Sequence, residues 1–140
     1  MERKYYDITS AQILLFYQQK FTIHKQVNNI CTSVLVDKEL DFNILKKAIQ
    51  KEYERNDALR LRMVIVDKKP KQYFEEHEEP DIGYLDFRGK TLEQMERKLY
   101  KIAHKPITVY GKPMSKVYMM RSYDGKSGIY FVVSHMIMDF

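Results

Sequence analysis

The sequence contains little cysteine, glycine, proline or tryptophan. Among 140 residues there are 1 cysteine, 5 glycines, 4 prolines and no tryptophan. Because Cys31 has no second cysteine to pair with, an internal disulfide is excluded and a reducing compartment is indicated. We interpret Cys31 as a small core residue rather than a nucleophile. No internal repeat, low-complexity stretch or flexible linker occurs, so residues 1–140 are predicted to form one domain that is long enough to bury a core.

Long hydrophobic runs are also absent. No run of about 18 apolar residues occurs, and Met1-Glu2-Arg3-Lys4 leads into no signal-peptide core, which predicts a cytoplasmic protein with no membrane partner. The net charge of +5 could attract an anionic partner, but the basic residues are dispersed among acidic ones and no RNA-binding signature is present. We therefore predict a solvated surface of mixed charge and no nucleic-acid partner.

Helix-start signals divide the chain into segments. Thr9 with Gln12, and Thr91 with Gln94, have the spacing of a capping box, and Asp41 is a third capping residue. Apolar residues at helical spacing follow each of them, whereas alternating or β-branched runs elsewhere predict strands. Together these patterns predict an α/β two-layer sandwich, in which one mixed sheet carries helices on one face. The predicted helices begin at residues 10, 42 and 92, and the predicted strands are 30–36, 58–66, 72–76, 82–87, 116–122 and 129–134.

Two groups of charged residues need an explanation. Arg60 lies on a face of the predicted strand 58–66 that is otherwise small or apolar, where an unpaired guanidinium is costly, so it requires an acidic partner. For Arg62, a solvent-facing position and a paired one both stay open. The acidic run 75–79 resembles a set of metal ligands, but neighbouring strand residues point to alternate faces and do not converge. We interpret this run as a solvated acidic loop and expect no metal site.

The most distinctive stretch is residues 130–140. An apolar run rich in β-branched and aromatic residues predicts a buried strand that ends in Ser134 and His135, with Asp139 four residues further on. Histidine suits proton transfer because its unperturbed pKa lies near neutrality. The alternative interpretation is a core histidine beside an unrelated loop aspartate.

Four stretches resemble the motifs of one family, in the family's order. Residues 9–16 (TSAQILLF) are similar to its Ser-x-Ala-Gln-x-Arg-Leu-Trp opening, and residues 55–63 (RNDALRLRM) to its Arg-His-x-x-Leu-Arg-x-x-Phe stretch. Residues 105–114 (KPITVYGKPM) resemble its Phe-Asp-Leu and Pro-Leu region, and residues 134–140 (SHMIMDF) its His-His-x-x-x-Asp-Gly motif. The chain thus resembles the N-terminal lobe of a nonribosomal peptide synthetase condensation domain, within the chloramphenicol-acetyltransferase-like acyltransferases. Leu14, Ser134 and Phe140 stand where the family has Arg, the first His and Gly.

The resemblance implies a fold, a reaction and a set of residues. The fold is one lobe of the two-lobed chloramphenicol-acetyltransferase-like architecture, with the second lobe absent. The reaction is acyl transfer from a pantetheine-linked thioester, on a carrier protein or CoA, to an amine or alcohol, with no bound cofactor. His135 is implied as the base or positioning group, Ser134 as its structural neighbour, and Asp139 as a structural residue paired with Arg60.

Two classes of function stay open at this point. The first is acyl transfer, with the isolated lobe inactive because half of the site is missing. The second is a non-catalytic remnant or interaction module that keeps the fold without the reaction. In both cases we expect a single lobe to expose apolar surface and to associate with a second lobe or with another copy of itself, as a homodimer that meets near residues 130–140.

Overall fold

The computed structural model describes residues 3–139 of the chain. Phe140, which stands at the position of the motif glycine, lies outside the described residues. Three α-helices, one short 3₁₀ helix and seven strands make up the described part. In chain order these are β1 (Tyr6–Asp7), α1 (Ser10–Phe21), β2 (Asn29–Val36), α2 (Phe42–Arg55), the 3₁₀ helix (Asp57–Arg60), β3 (Leu61–Val66), β4 (Lys69–Phe74), β5 (Ile82–Asp86), α3 (Leu92–Ala103), β6 (Ser115–Arg121) and β7 (Ser127–Ser134).

The three α-helices begin at the capping residues predicted from the sequence. In α1 the Thr9 hydroxyl accepts a hydrogen bond from the Gln12 amide N–H at 3.2 Å, and the Gln12 side-chain oxygen accepts from the Thr9 N–H at 2.8 Å. Thr91 and Gln94 form the same reciprocal pair at the start of α3. Asp41 caps α2 by accepting from two backbone N–H groups. No helix within residues 3–139 has the length and apolar character needed to cross a bilayer.

The strands form two sheets rather than the single sheet predicted from the sequence. The smaller sheet has the order β1-β4-β3 and is antiparallel. The larger sheet has the order β2-β7-β6-β5 and is mixed, because β5 runs parallel to β6 while the other pairs are antiparallel. β3 and β4 pair with each other because Asp67 and Lys68, with φ of 49° and 64°, form the tight two-residue turn of a hairpin. The α/β class is confirmed, and the division into two sheets corrects the prediction.

The helices α2 and α3 cover opposite faces of the larger sheet. Ile49 of α2 packs in a core with Val117 of β6, whereas Met95 of α3 packs in a core with Met120 of the same strand. Odd-numbered and even-numbered residues of a strand point to opposite faces, so the two helices cannot share one. The prediction that the helices lie on one face is therefore wrong. Helices therefore cover both faces of the centre of the larger sheet, which explains why β7 is apolar from Ile129 to Val133.

A third core joins α1, the smaller sheet and the turn that follows β7. It contains Phe16 of α1, Met63 of β3, Met114 before β6 and Met136 after β7, all of them buried. Burial of a side chain of this size contributes roughly 1.5–3 kcal/mol to folding. This packing fixes the turn after β7 against α1 and β3.

The strand that precedes the turn, β7, lies inside the larger sheet. It pairs with β2 over its whole length on one side and with β6 over residues 127–133 on the other. Gly128 is required near its start, because a Cβ atom there would lie 1.9 Å from the backbone oxygen of Val34 in β2. A strand held on both sides fixes the position of the residue that comes next, which is His135.

Candidate active site

Ser134 ends β7 and starts the turn that carries His135. Its side chain is 1% exposed, and its backbone N–H donates to the Met114 carbonyl at 2.8 Å. The Ser134 hydroxyl accepts from the Met136 N–H at 3.2 Å, and its carbonyl accepts from the Ile137 N–H at 3.1 Å. Ser134 therefore holds the turn together from inside the protein, consistent with the structural role that the family motif implies for it.

His135 projects from this turn with one ring nitrogen buried. Its backbone N–H donates to the Asn28 carbonyl at 2.8 Å, and its side chain is 33% exposed. Nε2 lies 3.3 Å from Oδ1 of Asp139, whose side chain is 87% exposed. Nδ1 is inaccessible to solvent and has no hydrogen-bond partner within residues 3–139. Nε2 is therefore the ring nitrogen that a substrate can reach, and Asp139 is the carboxylate beside it.

The His135 ring opens onto a cleft of ≈ 530 Å³. One wall is the N-terminal turn of α1, and the other walls come from the 3₁₀ helix, the smaller sheet and the turn after β7. A cavity of this size is within the range of small-molecule sites. Six of the residues that line it are polar, and the rest of the lining is apolar. Residues that line it besides His135 and Asp139 include Thr9, Gln12, Leu15, Leu61, Gln72, Phe74 and Met138.

Arg60 has other partners in the structure than the predicted Asp139. Its guanidinium pairs with Asp57 and donates to the backbone carbonyls of Tyr53 at 3.0 Å and Glu54 at 2.5 Å. The sequence pattern predicted a strand from residue 58, but residues 57–60 form a 3₁₀ helix, which turns Arg60 back towards the end of α2. The last carbonyls of a helix lack intrahelical partners, and a guanidinium satisfies them well. The predicted ion pair with Asp139 is thus replaced by a cap on α2.

Arg62 is the buried arginine of this region. It is 3% exposed, forms an ion pair with Glu78, and donates to the Leu61 carbonyl at 3.0 Å. Of the two positions left open for Arg62, the paired one is found. Glu78 corrects the prediction of a wholly solvated acidic loop, because its carboxylate is also largely buried. No group of three or more His, Cys, Asp or Glu side chains in residues 3–139 is placed to hold a metal ion.

Cys31 lies away from His135, on the face of the larger sheet that α3 covers. It packs against that core together with Tyr130. Burial raises the pKa of the Cys31 thiol above its usual value, although a hydrogen bond to Tyr130 acts in the opposite direction. The thiol is therefore protonated at neutral pH, and only the thiolate is a strong nucleophile. This environment fits a core residue.

Gln12 is the site residue that the sequence pattern did not indicate. Its capping role was predicted, but its side-chain nitrogen also donates to the Met136 carbonyl at 3.0 Å and to the Gln72 side chain at 2.9 Å. The family's opening motif contained a signal for this second role, because it has glutamine at this position. A helix cap alone would be served equally well by glutamate. Gln12 thus reaches from α1 to the turn that carries His135.

Comparison with known families identifies the chain. The family model of the Condensation domain matches residues 2–140. The chain belongs to the Condensation domain family. The family resemblance that was inferred from the four motifs is therefore confirmed, and the match extends over nearly the whole chain, including the turn with His135.

Two relatives are peptide synthetase subunits of much greater length. Surfactin synthase subunit 1 of Bacillus subtilis (strain 168) is 28% identical over 144 residues, which cover 99% of this chain and 4% of that protein. Gramicidin S synthase 2 of Brevibacillus brevis is 25% identical over 135 residues, which cover 96% of this chain and 3% of that protein. This chain therefore spans only a small part of the length of these two relatives.

Solved structures show the same fold. The starter condensation domain of rhizomide synthetase RzmA superposes with a TM-score of 0.85 at 16% identity, over 98% of this chain and 34% of that chain. A mutant of that domain in complex with C8-CoA gives a TM-score of 0.86 at 16% identity, over 98% of this chain and 32% of that chain. A four-domain nonribosomal peptide synthetase bound to AMP and glycine gives 0.79 at 18% identity, over 100% of this chain and 11% of that chain. The α/β fold of a condensation domain is thereby confirmed.

Proposed function

We propose that this chain provides the histidine-bearing half of a condensation-type acyltransferase. The reaction transfers an acyl group from a pantetheine-linked thioester to an amine or alcohol. The observation that carries this proposal is the placement of His135, which leaves an internal strand with Nδ1 buried and Nε2 beside the cleft. A positioned imidazole at the edge of a substrate-sized cleft is the arrangement that acid–base catalysis requires.

The chemistry assigned to His135 is proton transfer at Nε2. The attacking amine or hydroxyl forms a bond to the thioester carbonyl carbon while Nε2 takes its proton, the C–S bond breaks, and the proton passes to the departing thiolate. The imidazolium formed in between lies beside Asp139, whose carboxylate stabilises a positive charge at that position. Because the Asp139 side chain is mostly exposed, solvent weakens this attraction. No step in this scheme uses a metal.

A second cavity supports an acyl group with an apolar part. It measures ≈ 460 Å³, lies between α2 and the larger sheet, and is lined mainly by apolar side chains such as Leu45, Ile129 and Phe131. Ala58 and Met138 line this cavity and also the cleft at His135, so the two spaces adjoin. An apolar chain attached to the reacting carbonyl has a place to lie there. The acyl group would arrive on a carrier protein or on CoA, and C8-CoA is the ligand of one RzmA structure.

Substitution of His135 tests the proposal. The assay uses the 140-residue chain alone and the chain joined to the second lobe of a condensation domain, with acyl-CoA and carrier-bound donors. We expect His135→Ala to lower turnover of the two-lobed protein by about 10²–10⁴, the usual contribution of a positioned acid–base group. His104→Ala, which alters an exposed histidine at the end of α3, is the matched control and should leave turnover unchanged.

The outcome also separates the two classes of function. The 140-residue chain alone is expected to show little or no transfer, since the proposed cleft needs a second lobe for its other wall. Unchanged turnover of a natively folded His135→Ala protein would remove the acid–base assignment. Binding of the carrier protein without any transfer by the two-lobed protein would favour the non-catalytic interaction module instead.

A further inference from the structure

We infer that Gln12 is a positioning residue for His135. The inference rests on the proposed function of His135 as the acid–base group. Within residues 3–139 Gln12 forms no hydrogen bond to the His135 ring. It binds the backbone of the turn on which His135 stands, and it does so from a different secondary-structure element.

The contacts of Gln12 use both atoms of its amide. Oε1 accepts from the Thr9 N–H at 2.8 Å, while Nε2 donates to the Met136 carbonyl at 3.0 Å and to Gln72 Oε1 at 2.9 Å. A backbone N–H can only donate and a backbone carbonyl can only accept, so these partners fix which way the amide points. The side chain at position 12 must therefore offer an acceptor and a donor at the same time.

The turn is held to α1 at a second point by Asn28. The Asn28 carbonyl accepts from the His135 N–H at 2.8 Å, and its buried side chain donates to the Leu15 carbonyl at 3.1 Å and to Gln19 Oε1 at 3.3 Å. The backbone is thus tied to α1 on both sides of the His135 side chain: directly through Gln12 after it, and through Asn28 before it. Fixing the backbone on both sides fixes the direction in which Cβ and the ring leave it.

The second capping box of the chain shows what a cap alone needs. Thr91 and Gln94 make the same reciprocal hydrogen bonds at the start of α3, with lengths of 3.2 and 2.9 Å. Gln94 is exposed, and its side chain has no hydrogen-bond partner outside this box within residues 3–139. Glutamate serves a capping box as well as glutamine, because the box uses only the acceptor oxygen. Glutamate at position 12 would instead present an acceptor to the Met136 carbonyl.

The two glutamines therefore allow a matched experiment. Gln12→Glu and Gln94→Glu each keep the cap and add one negative charge near a helix N-terminus. In the two-lobed protein we expect Gln12→Glu to lower kcat by about 10–10² with little change in KM, since displacing a catalytic group by about 1 Å has an effect of this size. Gln94→Glu should leave kcat and KM unchanged. In the 140-residue chain, Gln12→Glu should shift the ring NMR signals of His135, and Gln94→Glu should not.

The remaining results either support or overturn the inference. If His135→Ala abolishes transfer while Gln12→Glu leaves kcat and the His135 signals unchanged, the positioning role is wrong and the proposed function stands. If His135→Ala does not lower transfer, the proposed function itself is wrong. That result differs from the one in which only Gln12→Glu has no effect. If Gln12→Glu does not fold, Gln12→Asn and Gln94→Asn take the place of the glutamate variants. Each shortens the capping side chain by one methylene group, so the two capping boxes are altered in the same way. Equal kcat for these two asparagine variants would then contradict the inference.

Discussion

A guanidinium inside a protein needs a counter-charge and acceptors for its five N–H groups. Arg62 meets the first need with Glu78, in a pair from which solvent is nearly excluded. Arg60 is tied mainly to backbone carbonyls and to the exposed Asp57. The two arginines, two positions apart, therefore differ in function: Arg60 closes the end of α2, whereas Arg62 fastens the loop between the two sheets. Only Arg62 depends on one buried carboxylate.

Removing one partner of the Arg62–Glu78 pair should destabilise the lobe strongly. Glu78→Gln or Arg62→Met leaves a charge without its counter-charge, and we expect the free energy of unfolding to fall by about 3–5 kcal/mol. Urea denaturation of the 140-residue chain measures this change. The double variant, in which both charges are absent, should lose clearly less than the sum of the two single variants.

An exposed ion pair provides the control for this prediction. Arg97 and Glu93 pair on the surface of α3, with both side chains more than half exposed. Arg97→Ala should change the free energy of unfolding by at most about 1 kcal/mol. If Glu78→Gln had no larger effect than Arg97→Ala, the Arg62–Glu78 pair would contribute little, and the loop would be held by other contacts.

At the scale of elements, the local signals in the sequence were sufficient for the helices and for most strands. The caps at Thr9, Asp41 and Thr91 were predictable because each involves residues two or three positions apart. The 3₁₀ helix at residues 57–60 was not predictable, since Leu59 continues the alternation of Leu61 and Met63 in β3. Sheet partners and the faces covered by α2 and α3 depend on contacts between distant residues, which a strand pattern does not encode.

The candidate site was predictable to a similar degree. The positions of Ser134, His135 and Asp139 follow from the strand before them and from the motif. The ion-pair partners of Arg60 and Arg62 could not be predicted from the sequence, because the direction of a long side chain depends on the local backbone. The wrong partner for Arg60 came from the family resemblance, applied to a segment that was predicted to be extended and is helical. The contacts of Gln12 with Met136 were not visible, because they join residues 124 positions apart.

The close approach of β2 and β7 at Gly128 can be tested directly. A Cβ at position 128 would meet backbone atoms of Val34, which cannot rotate away, so Gly128→Ala must push the strands apart. We expect a loss of about 1–3 kcal/mol or more, as for an overpacked core. Hydrogen exchange should show faster opening of the β2 amides than in the parent chain.

Gly83→Ala is the comparison for this variant. The new Cβ would meet the Tyr118 ring, which is a side chain and can move, so the loss should be smaller than for Gly128→Ala. An equal or larger loss for Gly83→Ala would show that backbone contact at Gly128 is not the limiting feature of the β2–β7 pair.

At the scale of the whole molecule, the structure changes where self-association should be sought. The proposed meeting point near residues 130–140 has no free strand edge, because β7 is paired on both sides. Within residues 130–139, Met138 is the exposed large apolar side chain. A stripe of exposed apolar side chains lies on α1, where Leu14, Tyr17 and Phe21 follow helical spacing.

Self-association of the single lobe stays a prediction, with α1 as the expected contact. Light scattering over a dilution series should give a mass that rises with concentration towards that of a dimer. Phe21→Ser should weaken this association, because it removes the most exposed aromatic ring of the stripe. Tyr100→Ser, on the exposed side of α3, is the control. A constant monomer mass at high concentration would contradict the dimer and leave the family membership unaffected.

The central position of β7 also has a consequence for synthesis of the protein. Asn29 of β2 pairs with Ser134 of β7, so about a hundred residues must be made between the two partners. At about 5–20 residues per second, β2 leaves the ribosome roughly 5–20 s before its neighbour exists. During that interval the larger sheet cannot close, because β7, the strand that pairs with β2, has not been made. The nascent chain is therefore most exposed to chaperones and to wrong strand pairing at β2, long before His135 has been translated.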